Sequence, residues 1–122
     1  MASLPKIALD TNIVLEQPSR LEELREVFGN KIEIAIPKQV EEELGVLGNR
    51  SQKNKKKLAI AKMILKKENV ETITVNAKNA DDALVALSKE GFAILTMDSR
   101  LNQKILRENG SLVEIENKKI KK

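Results

Sequence analysis

The sequence predicts an α/β fold in which a parallel sheet carries helices on both of its faces. Three observations support this. Five short runs of strand character alternate with five longer helical runs along the 122 residues, and such alternation belongs to parallel sheets, whose crossovers need helices. The first, second and fourth strand runs are almost continuously apolar, as strands covered on both sides must be. Gly29-Asn30, Gly48-Asn49, Gly91 and Asn109-Gly110 stand where the helical patterns stop, and these residue types end helices readily.

In chain order, Lys6 to Leu9 is the first strand, an apolar run that stops at Asp10. A helix over Ser19 to Phe28 closes at Gly29-Asn30, and the second strand, Glu33 to Ile36, follows. The helix over Lys38 to Leu47 has Val40, Leu44 and Leu47 as its buried stripe and stops at Gly48-Asn49. A lysine-rich helix covers Gln52 to Glu68 and leads to the third strand, Glu71 to Val75. Ala80 to Lys89 is helical, opens with paired acids and ends before Gly91. Phe92 to Thr96 is the fourth strand, Ser99 to Glu108 the last helix, and Leu112 to Ile115 the fifth strand. The reading is one domain over residues 1–116 and a basic C-terminal tail over 117–122.

Composition narrows the chemistry. At 122 residues and 41% apolar content the chain can bury a core without disulfide or zinc staples. Two Phe with no Tyr or Trp leave that core to Ile, Leu, Val and Ala, and disfavour aromatic platforms that stack nucleobases. With no Cys and no His, thiolate nucleophiles, imidazole bases and Cys/His zinc sites are excluded. The opening residues lack a signal-peptide pattern and no apolar run approaches the roughly 18 residues of a membrane span. A cytoplasmic location is expected.

The net charge of +4 hides an asymmetry. Arg50 to Lys67 holds eight cations and no acid, and Asn117 to Lys122 adds four Lys; together they hold 12 of 22 cations, leaving 10 against 18 acids elsewhere. An acidic body with basic arms suits a polyanion gripped by the arms while metal neutralises the acids.

Four acids lie where strands give way to helices. Asp10 ends the first strand and Asp98 closes the fourth, and carboxyl ends of parallel strands open onto the crevice where such sheets bind ligands. Either Asp could also serve as a helix N-cap. Glu43 falls three residues after Val40 within the apolar stripe, where a carboxylate is costly unless paired or bound to a cation. Asp81 and Asp82 share the first turn of their helix, and helical phase does not decide which of them faces the crevice. Acids packed together repel, so a site built from them calls for Mg²⁺ or Mn²⁺.

The ordered set of Asp10-Thr11-Asn12, Pro37-x-x-Val40-x-x-Glu43-Leu44, Ala80-Asp81-Asp82-Ala83-Leu84-Val85 and Leu95-Thr96-Met97-Asp98 resembles the PIN-domain ribonucleases. The resemblance spans roughly residues 5 to 116 and implies an α/β/α sandwich around a five-stranded parallel sheet of order 3-2-1-4-5. It also implies metal-dependent endonucleolytic cleavage of RNA, with Asp10, Glu43, Asp82 and Asp98 as the catalytic, metal-binding acids. Asp81 would be an accessory acid or a cap, Thr11 or Asn12 would orient Asp10 or a metal-bound water, and Thr96 joins these accessory residues. Family members often carry Asn where Met97 stands. Arg50, Lys53, Lys55, Lys56 and Lys57 are expected to grip RNA phosphates. The implied roles are RNA processing or decay, a toxin held by an antitoxin, or an inactive scaffold in ribosome assembly, with a homodimer as a further expectation. Receiver domains and haloacid-dehalogenase-type phosphatases fit less well, since strand one ends in a single Asp.

Overall fold

The computed structural model describes residues 5–122. In chain order the elements are β1 (Lys6–Leu9), α1 (Thr11–Glu16), α2 (Arg20–Phe28), β2 (Glu33–Pro37), α3 (Lys38–Gly48) and α4 (Gln52–Lys67). These are followed by β3 (Glu71–Ile73), α5 (Ala80–Lys89), β4 (Phe92–Leu95), α6 (Ser99–Arg107) and the short strands β5 (Ser111–Leu112), β6 (Ile115–Glu116) and β7 (Lys119–Ile120). The first five strands form one sheet in the order β3-β2-β1-β4-β5, parallel throughout. Both the fold class and the strand order match the expectation.

The apolar content of the strands decides their rank in the sheet. Ile7, Ala8 and Leu9 of β1 are fully buried at its centre, and Ile34, Ala35, Ile36, Ile94 and Leu95 of the neighbouring strands are nearly so. Each large side chain among them contributes roughly 1.5–3 kcal/mol by leaving water. β3, with Glu71 and Thr72 exposed, takes an edge. Right-handed crossovers place α1 to α4 on one face and α5 and α6 on the other. α1, α3 and α4 touch one another and α5 touches α6, while α3 also reaches α5 beyond the strand ends.

Gly48 allows α4 to fold back tightly onto α3, because a Cβ there would lie 2.4 Å from Leu58 Cδ2. Arg25 ties α2 to the end of α4 through Glu68 at 2.9 Å and also donates to the carbonyls of Asn30 and Ile32. Among the described residues no helix is long and apolar enough to cross a membrane.

Three features depart from the sequence reading. The expected fifth strand, Leu112 to Ile115, is divided between β5 of the main sheet and β6 of a separate two-stranded sheet. Thr11 to Glu16, read only as part of a motif, forms α1 with Ile13, Val14 and Leu15 buried. Residues 117–122 are not a free tail: β6 and β7 make an antiparallel hairpin across a two-residue turn at Asn117 and Lys118, both with positive φ. That backbone matches the twist of a hairpin. Buried Ile120 and the acceptor Glu23 dock the hairpin on α2, with the Ile120 amide donating to Glu23 Oε2 at 2.6 Å and Arg20 donating to the Lys118 carbonyl at 2.9 Å. Burial alone would raise the Glu23 carboxyl, but the Ile120 amide and Arg20 outweigh it and hold it below its ordinary value.

Candidate active site at the sheet switch point

The chain runs from β1 outward to β2 and β3, then returns across the sheet to β4. Carboxyl ends of β1 and β4 therefore diverge into connections of opposite direction, and the gap between them is where open parallel sheets bind ligands. Leu9 and Leu95 pair at the end of both strands, and the Asp10 amide donates to the Leu95 carbonyl at 3.0 Å. Asp10 and Thr96 are thereby fixed side by side.

Asp10 is buried, and both carboxylate oxygens are held. Oδ1 accepts from the Thr11 amide at 2.7 Å, and Oδ2 accepts from the Thr96 hydroxyl at 2.5 Å. The Thr96 hydroxyl in turn accepts from the Asp98 amide at 3.0 Å. One buried hydroxyl thus links the acid that ends β1 to the one that follows β4. Asp98 is exposed and caps α6, its Oδ1 accepting from the amides of Arg100 and Leu101. The capping and site readings of both Asp residues hold together, because a cap uses only part of a carboxylate's acceptor capacity.

Thr11 is buried and its Oγ1 has no hydrogen-bond partner, while Asn12 is exposed. Thr11 meets Asp10 through its backbone amide and not through its side chain. Met97 is exposed between Thr96 and Asp98.

α5 supplies the third side. The Asp81 carboxyl is pushed up from its ordinary range by desolvation in the crevice and then by the charges of Asp10, Asp98 and Glu43. Asp82 points differently: Lys104 on α6 pairs with it at 2.8 Å and holds its carboxyl low. Asp82, the acid expected at the site, is thus engaged by Lys104, while Asp81 carries the field of the crevice acids. The two residues are neighbours on one helical turn and project in different directions, and the packing of α6 on α5 captures the second of them. Nothing in the local sequence shows where Lys104 will land.

Glu43 also differs from expectation. It is exposed, and the buried residues of α3 are Val40, Leu44 and Gly48, so the acid flanks the stripe instead of lying within it. It still reaches the crevice closely enough for its charge to act on Asp81.

The expected RNA-gripping residues differ in their partners. Lys57 is committed to Glu16 at 2.6 Å, whereas Lys53, Lys55 and Lys56 have no ion pair among the described residues. Arg50 borders a hollow that it shares with Glu43.

Among the described residues no three acids close into a ready-made coordination shell. A hard cation nonetheless fits the donor set, which is all oxygen and includes an unpartnered buried hydroxyl on Thr11 beside Asp10. Mg²⁺ keeps several waters and takes only one or two carboxylates directly, so a closed cage is not required.

The model of the family described as PIN like domain matches residues 7–118. The chain belongs to the PIN-like domain family. This PIN chain is 30% identical over 100 residues to the curated protein Ribonuclease VapC4 of Methanocaldococcus jannaschii, covering 80% of this chain and 76% of that protein. Among solved structures it is similar to the PIN domain endonuclease Utp24, at 27% identity and a TM-score of 0.73, over 94% of this chain and 88% of that one. It also shares the fold of a chain in VapBC2 from Rickettsia felis bound to a promoter DNA fragment. That match has 18% identity and a TM-score of 0.62, over 89% of this chain and 97% of that one.

Proposed function

We propose that this PIN chain is an Mg²⁺- or Mn²⁺-dependent endoribonuclease of RNA processing or decay, with Asp10, Glu43, Asp81 and Asp98 as its working acids. The observation that carries this reading is the switch point of the sheet, where the Thr96 hydroxyl joins buried Asp10 to Asp98, with desolvation and then the charges of Asp10, Asp98 and Glu43 raising the Asp81 carboxyl beside it. The names of the relatives support it, one a ribonuclease and the other an endonuclease.

A divalent ion bound by these residues supplies a water of lowered pKa and neutralises charge on the phosphodiester. Asp10 would be the fixed ligand, because the Thr11 amide and Thr96 hydroxyl leave its carboxylate one orientation. Asp98 is set relative to it by the shared Thr96 hydroxyl. Asp81 and Glu43, both exposed, would complete the negative field from α5 and α3. Lys104 keeps Asp82 out of that field by pairing with it.

The exchange of Asp81 for Asp82 has a measurable consequence. A carboxyl whose folded pKa is raised costs stability above its unfolded value, and the cost disappears as pH falls below about 3.9. Asp81→Asn is therefore expected to raise the melting temperature in metal-free buffer at neutral pH and to lose that advantage in acid, while reducing RNA cleavage. Asp82→Asn is expected to leave cleavage closer to the parent and to give no such stabilisation. The reverse ranking, read from melts in EDTA and from cleavage rates in Mn²⁺, would return the site to Asp82.

The reading as a whole is tested by incubating purified protein with labelled single-stranded RNA. Internal cuts with Mn²⁺ or Mg²⁺ and none in EDTA are expected. Intact RNA at every metal concentration would refute it.

A further inference from the structure

Glu43 borders a second feature besides the acid crevice. Between α3 and the start of α5 lies a hollow of about 400 Å³, whose wall includes Gln39, Glu43, Val46, Arg50 and Lys78. We propose that it is a nucleotide subsite for the residue of RNA that adjoins the scissile phosphate, with Arg50 and Lys78 on its phosphate. This rests on the endoribonuclease reading and assigns that reading a path for the strand.

Charge is the first argument. The crevice acids repel a phosphate, whereas Arg50 and Lys78 attract one, and both cations are exposed with no ion pair among the described residues. They remain unpaired although Glu42 and Glu43 share the same wall. Two unpaired cations beside a crevice acid form a dipolar track, with the metal-binding chemistry at one end and phosphate recognition at the other.

Shape and anchoring are the second. The hollow falls in the size range of small-ligand sites, roughly 300–1,000 Å³, and Val46, 61% exposed, offers an apolar surface in a protein without Tyr or Trp. Lys78 is on a loop that is held in place. The Gln39 side-chain amide donates to the carbonyls of Val75 at 2.7 Å and Ala77 at 2.9 Å. Gln39 leaves its own Oε1 buried without a partner, a cost that few side chains bear without a positional role. Lys53, Lys55, Lys56 and Lys57, expected from the sequence to grip RNA, do not line this hollow; of that group only Arg50 does.

The test separates binding from cutting. In an Asp10→Asn background with Mg²⁺ present, a fluorescein-labelled single-stranded oligoribonucleotide is titrated at several NaCl concentrations and followed by anisotropy. Arg50→Gln and Lys78→Gln are each expected to weaken binding several-fold and to flatten the dependence of log K on log salt by about 0.7. The combined Lys53→Gln, Lys55→Gln and Lys56→Gln variant is expected to change both quantities less than either single variant. Undiminished affinity and slope in the Arg50→Gln, Lys78→Gln double variant would overturn the subsite, as would a triple variant that loses more than the singles. Cleavage by the parent protein, measured separately, decides the nuclease reading. Binding lost in the double variant while the parent fails to cut would keep the subsite and end the nuclease; cutting by the parent with binding intact in the double variant would do the opposite.

Discussion

Asp10→Asn is expected to reduce metal-dependent RNA cleavage by more than 100-fold while leaving the fold intact. The expectation follows from position. Asp10 is the one buried acid of the crevice and has both oxygens fixed, so it is the best ordered anchor for a cation. Outer partners of metal ligands typically cost ~10–100-fold when removed, and a ligand itself should cost more. The amide keeps the carboxylate's shape and can still accept from the Thr11 amide. The Thr96 hydroxyl can rotate to accept instead of donate. Far-ultraviolet circular dichroism should therefore match the parent. Cleavage at the parental rate would mean either that the activity belongs to a contaminant or that the site lies elsewhere.

Thr96→Val carries the second largest effect and tests the link instead of the ligand. The substitution keeps the volume of a buried side chain and deletes the hydroxyl that donates to Asp10 and accepts from the Asp98 amide. A buried group left without its partner costs about 1–3 kcal/mol, which denaturant melts would register. The loss of cleavage should fall near the ~10–100-fold range of outer-shell residues. Thr96→Ser, which restores the hydroxyl, should recover most of the activity but not all of the packing. A Thr96→Val protein that is destabilised yet fully active would show that the bridge serves the fold alone.

Much of the fold was legible because its signals are local. β1, β2 and β4 announce themselves as almost continuously apolar runs, and the glycines and asparagines after α2, α3, α5 and α6 mark where those helices stop. The elements that local signals do not mark are short or depend on partners. α1 spans only six residues directly after a strand, too few for periodicity to register. The β6–β7 hairpin has two residues per strand and turns at Asn117-Lys118, and its stability comes from Glu23 and Arg20 nearly a hundred residues earlier.

The site divides in the same way. Asp10 and Asp98 sit at strand ends, which the sequence marks directly, and the structure brings them together through Thr96. Which of Asp81 and Asp82 pairs with a cation rests on α6 delivering Lys104 to one of two adjacent carboxylates, a tertiary event. Three-residue spacing from Val40 puts Glu43 near the buried face, but an α-helix places such a residue at the margin of a narrow stripe, here open to the crevice. Lys78, a single lysine in a loop, has no pattern to mark it.

The most direct measurement is a crystal soaked in Mn²⁺, with the ion located by its anomalous scattering. A peak is expected in the crevice against Asp10, within reach of Asp81, Asp98 or Glu43, and it should disappear in Asp10→Asn. A peak at other residues, or none at millimolar Mn²⁺ that supports cleavage, would contradict that expectation.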